Sequence, residues 1–238
     1  MFLNVNNISK QYENKPVLKN VSFSLDAHTT LSILGKSGCG KTTLLRIISG
    51  IEVQDSGTIE FENVNISGIP PNKRNIVYLF QESLLFPHLD AFENIAFGLR
   101  IRKVRESEIK TMVHNLLESL EITEQSHKMP GQLSGGQKQR VAFGRALIIN
   151  PRLILLDEPF SSLDVETRHT MQQLYKKIAA RFNITALFVT HDLKEALIMG
   201  DKTGFMESGN LEVFDSKEAL INDPRTGLRN EINFWNNL

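Results

Sequence analysis

Cysteine occurs once in 238 residues, at Cys39, which excludes an internal disulfide framework and a Cys-rich zinc site. That scarcity fits a reducing compartment, and the cytoplasm is the expected location. Net charge is equally absent, because 27 basic residues balance 27 acidic ones. Without a global field there is no long-range pull on nucleic acid or an anionic membrane, so no nucleic-acid partner is expected and any partner must be recognised locally. Long apolar runs are missing too. Stretches such as Ile184 to Val189 fall far short of the roughly 20 residues that cross a bilayer. The start, MFLNVNNISK, lacks the basic segment and apolar run of a signal peptide. No internal repeat or low-complexity segment interrupts the chain. What remains is ordinary globular composition, 41% hydrophobic and 23% charged, at a length that α/β folds hold in one piece with an inserted subdomain.

Alternation at Val21, Phe23 and Leu25 predicts half-buried antiparallel strand within the first 25 residues. The apolar segment Thr30 to Leu34 predicts a strand, followed by a Gly-rich turn and a helix from Lys41 to Ser49 that Gly50 closes. Between Glu106 and Glu121, Ile109, Met112, Val113, Leu116, Leu117 and Leu120 recur at three-and-four spacing, the mark of one buried helix face. Asp90 with Glu93, and Ser134 with Gln137 ahead of Val141 to Ile149, have capping-box spacing, so residues 83–150 read as a helical insertion. After Pro151 the pattern returns to α/β. Leu153 to Leu156 and Ile184 to Thr190 are buried strands, Val165 to Phe182 and Leu193 to Met199 are helices, and TGFMESGNLEVF is hairpin-like.

Gly35-Lys36-Ser37-Gly38-Cys39-Gly40-Lys41-Thr42 matches G-x-x-x-x-G-K-[ST] and lies between a predicted strand and a predicted helix, the context that pattern requires. Glycines let successive backbone N–H groups turn in around the phosphates of ATP, and the helix N-terminus adds positive potential. Lys41 reaches the terminal phosphates and the Thr42 hydroxyl can coordinate Mg²⁺, with Thr43 continuing the nucleotide-binding stretch. Leu153 to Glu158 places two carboxylates at the end of a buried strand, where ligands of open α/β sheets bind. There Asp157 would hold the Mg²⁺ sphere, and Glu158 would orient and deprotonate the attacking water. Leu133-Ser134-Gly135-Gly136-Gln137 taken alone is an ordinary capping box; its glycine N–H groups and the Ser134 hydroxyl also suit a phosphate oxygen. The basic run Arg100, Arg102, Lys103 and Arg105 is followed closely by Glu106 and Glu108 and reads as a solvated face.

LSGGQ between the phosphate loop and the paired carboxylates is the signature of the ABC ATPase family, which the chain resembles over residues 2–222. The resemblance implies an α/β P-loop NTPase fold with a mixed core sheet, an N-terminal antiparallel β-layer and an inserted helical subdomain. As one ABC ATPase domain over 1–238, the chain would divide into a nucleotide-binding core (1–82 and 151–222), a helical subdomain carrying the signature (83–150) and a C-terminal tail (223–238). The resemblance also assigns roles. Gln81 would contact Mg²⁺ and the attacking water, and His191, the one histidine of six at such a strand end, would contact the γ-phosphate. Ser161 to Asp164 would cross a dimer interface near nucleotide, with Asp164 capping the next helix at the same time. Tyr12 would stack on adenine, although an aromatic at a strand end serves packing equally well.

Within the family, Pro70 to Leu99 resembles importer ATPases of the maltose, spermidine, sulfate, ferric-iron and molybdate type. Those continue into a C-terminal β-barrel domain, for which the residues after Pro224 are too few. The implied activity is ATP hydrolysis that powers an importer, with efflux, lipoprotein release and a soluble ABC ATPase as alternatives. The implied partners are a second copy in a head-to-tail nucleotide sandwich, transmembrane permease subunits and an extracytoplasmic substrate-binding protein. The implied location is peripheral, on the cytoplasmic face of the cell membrane.

Overall fold

The computed structural model describes residues 1–227 and Arg229. In chain order its first elements are β1 (Leu3–Tyr12), β2 (Lys15–Leu25), β3 (Thr30–Leu34), α1 (Lys41–Ser49), β4 (Ser56–Phe61), β5 (Val64–Asn65) and β6 (Ile76–Leu79). The helices α2 (Ala91–Ile101), α3 (Glu106–Ser119) and α4 (Gly135–Leu147) follow, then β7 (Leu153–Asp157), α5 (Val165–Arg181), β8 (Ala186–Thr190) and α6 (Leu193–Met199). The hairpin β9 (Lys202–Glu207) and β10 (Asn210–Phe214) and the short α7 (Lys217–Asn222) complete the described chain. Of the expected tail at 223–238, Pro224–Thr226 form one 3-10 turn, while 228 and 230–238 lie outside the described residues. The chain forms two compact units, one from Met1–Ile76 with the segment from Ile184 onward, the other from Val77–Asn183.

In the first unit, β1 pairs antiparallel with both β2 and β4, giving the order β2-β1-β4-β5. Leu3 opposes Leu25 and Val5 opposes Phe23, so the alternating apolar residues share one buried face. β3 is the centre of a second pairing, parallel to β8 on one side and to β9 on the other, and β9 runs antiparallel to β10. Every residue of β3 and β8 is buried, which explains why these strands read as continuous apolar runs. Each such buried Leu or Ile contributes about 1.5–3 kcal/mol. β8 starts at Ala186, two residues later than the apolar pattern suggests, and just before it the Thr185 hydroxyl accepts from the His28 N–H at 2.8 Å. Leu34, Ala196, Phe205 and Leu220 form a core cluster through which α6 and α7 cover this sheet.

In the second unit, β6 and β7 are neighbouring strands and α2 to α5 supply most of the mass. α3 buries Ile109, Val113, Leu116 and Leu117 but leaves Met112 41% exposed, so its apolar stripe is narrower than the sequence spacing indicates. Residues 81–90 run as an irregular loop, and helix begins only at Ala91, where Asp90 accepts from the Glu93 N–H at 2.7 Å. Among the described residues no helix is long and apolar enough to cross a membrane.

Candidate functional site

In the first unit the phosphate-loop sequence joins β3 to α1. The Gly35 N–H donates to Thr190 O at 3.2 Å, continuing the β3–β8 pairing one residue past the strand, after which the chain turns sharply. Cys39 N–H closes a turn on Lys36 O at 3.3 Å, and Cys39 O accepts from Gly209 N–H of the β9–β10 hairpin. Lys36, Ser37 and Gly38 at the tip are exposed. Gly40 is the N-cap of α1 with φ 116°, a conformation open to glycine, and a Cβ there would stand 2.8 Å from Val17 O. Having no side chain, Gly40 makes no side-chain cap to the first amides of the helix. Lys41 is buried, and its ammonium donates to Gly35 O at 2.7 Å and Lys36 O at 3.1 Å, which holds the cation at the loop's edge. Thr42 and Thr43 are half-buried behind it.

The far end of α1 is fastened by a residue the sequence does not announce. Arg74 is buried, and its guanidinium donates to Ile47 O at 2.8 Å and Ile48 O at 2.9 Å, the last carbonyls of the helix, and to Ile69 O at 2.7 Å. A cation at a helix C-terminus meets the negative end of the dipole. Burial holds this guanidinium below the ordinary arginine pKa, so part of the gain is spent on desolvation.

Tyr12 ends β1, 41% exposed, with the Lys10 ammonium 5.2 Å from its ring centroid. Partial burial pushes its phenol up, and the negative charge of Glu52 adds to the effect; Thr43 lies within hydrogen-bonding reach of the same hydroxyl. Lys10 in turn is fixed by Glu52 at 3.0 Å and Asp55 at 3.3 Å; the Glu52 bond raises its pKa and lowers the Glu52 carboxyl, while the Asp55 carboxyl is held down first by the Gln11 N–H and then by Lys10. Tyr12 therefore lies near Thr43 at the start of α1. His191 follows β8 with its side chain exposed. Next to it the buried Glu195 carboxylate accepts from the Thr190 hydroxyl, and Asp192 caps α6 by accepting from Glu195 N–H at 3.0 Å.

In the second unit Asp157 ends β7 at 7% exposure, and its Oδ2 accepts from the Tyr78 hydroxyl at 2.6 Å. Glu158 follows, half-buried, with φ 45°. A left-handed glutamate costs of order 1–3 kcal/mol, a conformation that thirteen other non-glycine residues among those described share. Its carbonyl accepts from Ser161 N–H at 3.2 Å and Ser161 Oγ at 2.9 Å, hydrogen bonds that hold the turn. Gln81 is exposed in the loop after β6. That loop is strapped down: fully buried Asn94 donates to Leu89 O at 2.8 Å and accepts from Phe86 N–H at 2.8 Å. Ser83 bonds Gln139, and Arg145 donates to Leu84 O at 2.7 Å with its guanidinium 4.9 Å over the Phe86 ring.

Ser134 caps α4 in a complete capping box. Its Oγ accepts from Gln137 N–H at 3.3 Å, while Gln137 Oε1 accepts from Ser134 N–H at 3.0 Å. Asp164 caps α5 by accepting from Thr167 N–H at 3.0 Å, and that bond holds its carboxyl below the usual range. Ser134, Gly136 and Gln137 share one polar cavity of about 460 Å³ with Glu166, Thr167 and Thr170 of the first turns of α5. The structure thus brings the LSGGQ segment and the start of α5 to one opening, which chain spacing alone does not indicate. The Asp157 carboxylate, a hard oxygen donor, is of the kind that suits Mg²⁺.

The ABC transporter family model matches residues 18–161. The spermidine/putrescine import ATP-binding protein of Clostridium novyi is 41% identical over 223 residues, covering 94% of this chain and 64% of that protein. The protein of the same name from Thermotoga maritima is 46% identical over 209 residues, 88% of this chain and 57% of its own length. This chain therefore spans roughly three-fifths of these relatives. Among solved structures, a dimeric post-hydrolysis state of the ATP-binding cassette MJ0796 bound to ADP and Pi superposes with a TM-score of 0.78 at 31% identity, covering 90% of this chain and all of that one. The antiparallel sheet, the mixed β3-centred sheet and the motif order agree with these matches, and the chain belongs to the ABC transporter family.

Proposed function

We propose that this chain is the ATP-hydrolysing subunit of an ABC importer, bound peripherally at the cytoplasmic face of the membrane. The observation that carries the reading is the start of α1, where Gly40 caps the helix with backbone alone and buried Lys41 stands at the first position with its ammonium on Gly35 O. Such a terminus receives phosphate. Lys41 exchanges its bonds to Gly35 O and Lys36 O for the terminal phosphates, and Tyr12 stacks on adenine. Thr42, Asp157 and Gln81 are the residues that would hold Mg²⁺, which would supply neutralisation of phosphate charge.

Glu158 takes the proton of the attacking water as its oxygen bonds the γ-phosphorus. The β–γ bridging bond breaks, its electrons pass to ADP, and His191 steadies the γ-phosphate. Ser134 to Gln137 of one copy complete the phosphate-loop site of a second, so ATP closes a dimer and hydrolysis opens it. The resemblance of Pro70 to Leu99 and the names of the relatives support import by a permease with an extracytoplasmic binding protein, and polyamines as the cargo to test first.

The decisive variant is Glu158→Gln. It should bind ATP normally, lose hydrolysis by on the order of 1,000-fold and accumulate as a dimer in ATP by light scattering. A variant that binds nucleotide yet stays monomeric would refute the sandwich.

A further inference from the structure

Tyr78 lies on β6 and Asp157 ends the neighbouring strand β7, and their hydrogen bond at 2.6 Å joins residues 79 apart in the chain. Three features make it more than a passing contact. The acceptor is a buried carboxylate, for which losing a donor costs the desolvation penalty of a charged group. The phenol ring is itself braced, 4.4 Å from the Phe80 ring at 57°. The donor is neutral, so it orders the carboxylate without cancelling its charge.

We propose that Tyr78 is a positioning residue for cation binding: its hydroxyl fixes the rotation of the Asp157 carboxylate so that the group is presented to Mg²⁺ in one orientation. This rests on the reading of Asp157 as a Mg²⁺ ligand. A carboxylate has about four acceptor positions on its two oxygens, so a phenol bond at Oδ2 and cation binding are compatible. Two consequences oppose each other. Donation draws electron density from the carboxylate and weakens its hold on a cation, whereas ordering removes the cost of orienting it. Loss of an outer hydrogen-bond partner commonly lowers metal affinity by about 10–100-fold, so ordering wins.

The test uses the full chain with Mn²⁺ in place of Mg²⁺, reading free Mn²⁺ by electron paramagnetic resonance in the presence of ADP. Tyr78→Phe should weaken Mn²⁺ binding about 10-fold and leave ADP affinity in EDTA unchanged. Equal or tighter Mn²⁺ binding would overturn the inference. In an Asp157→Asn background the same substitution should change nothing further, and a second full loss there would also overturn it. Should Tyr78→Phe fold poorly, Tyr78→Met fills the space without a donor and must show the same loss. If Asp157→Asn alone leaves Mn²⁺ affinity intact, the ligand reading itself fails, an outcome separate from a silent Tyr78→Phe.

Discussion

Two helices of this protein begin on glycine-rich segments that resemblance and chemistry both assign to phosphate, yet α1 and α4 are finished in opposite ways. At α1 the cap is Gly40, which has no side chain with which to satisfy an amide, and a lysine is buried at the first position. At α4 the cap is Ser134, and a reciprocal pair of hydrogen bonds with Gln137 satisfies an amide at each end of the box. A helix start closed by its own side chains is stable by itself. One capped by glycine draws no such stabilisation from its cap residue. The first arrangement suits tight capture of a polyphosphate. The second suits the signature surface proposed above to meet nucleotide on a second copy.

The largest effect that could break this contrast is Lys41→Ala. It should reduce ATP hydrolysis by on the order of 100-fold or more while leaving the melting temperature little changed, measured by phosphate release beside a thermal melt. Retained activity would mean that α1 is not the capture site. Gly40→Ala comes next, because the new Cβ must adopt φ near 116° and meet Val17 O, a backbone atom that cannot swing aside. A loss of about 1–3 kcal/mol in denaturant unfolding is expected, with nucleotide affinity falling in parallel.

Ser134→Ala removes one bond of the capping box and should cost about 1 kcal/mol of stability. ATP binding to a single copy should be untouched, and dimer formation in ATP should weaken. If monomeric binding falls as steeply as dimerisation, α4 is not reserved for a second copy. The smallest effect concerns Asp164, whose carboxyl is held down by the Thr167 N–H. A depressed folded pKa stabilises the protein above the unfolded value and loses that contribution as pH falls through the folded value. Asp164→Ala should therefore lower stability at neutral pH and flatten the decline below about pH 4, read from melts across acid pH.

Much of this is legible in the sequence. The β3–turn–α1 unit, the Ser134 and Asp164 caps and the buried β7 ending in Asp157 each depend on residues within a few positions of one another, where periodicity and capping rules act. The misjudged features are those that neighbours decide. Met112 keeps helical spacing but stays 41% exposed, at the edge of an open cavity shared with Leu147 and Phe182. The loop at 81–90 contains apolar residues that resemble helix, yet Asn94, Gln139 and Arg145 bind its backbone and side chains in an irregular course. Arg74 carries no sequence signal of its role, because its partners, the last carbonyls of α1, lie 27 and 26 residues away in the chain.

By itself the sequence determined the phosphate loop and its strand–turn–helix setting, the acidic pair at a strand end, the capped LSGGQ segment and their order, because short-range stereochemistry allows those residues few other roles. Tertiary structure alone decided that Tyr78 reaches Asp157, that the LSGGQ segment shares a cavity with the start of α5, and that Glu158 takes a left-handed backbone. Such partners are chosen by strand adjacency and by which helix faces meet. Those are properties of the packed chain, and no local spacing encodes them.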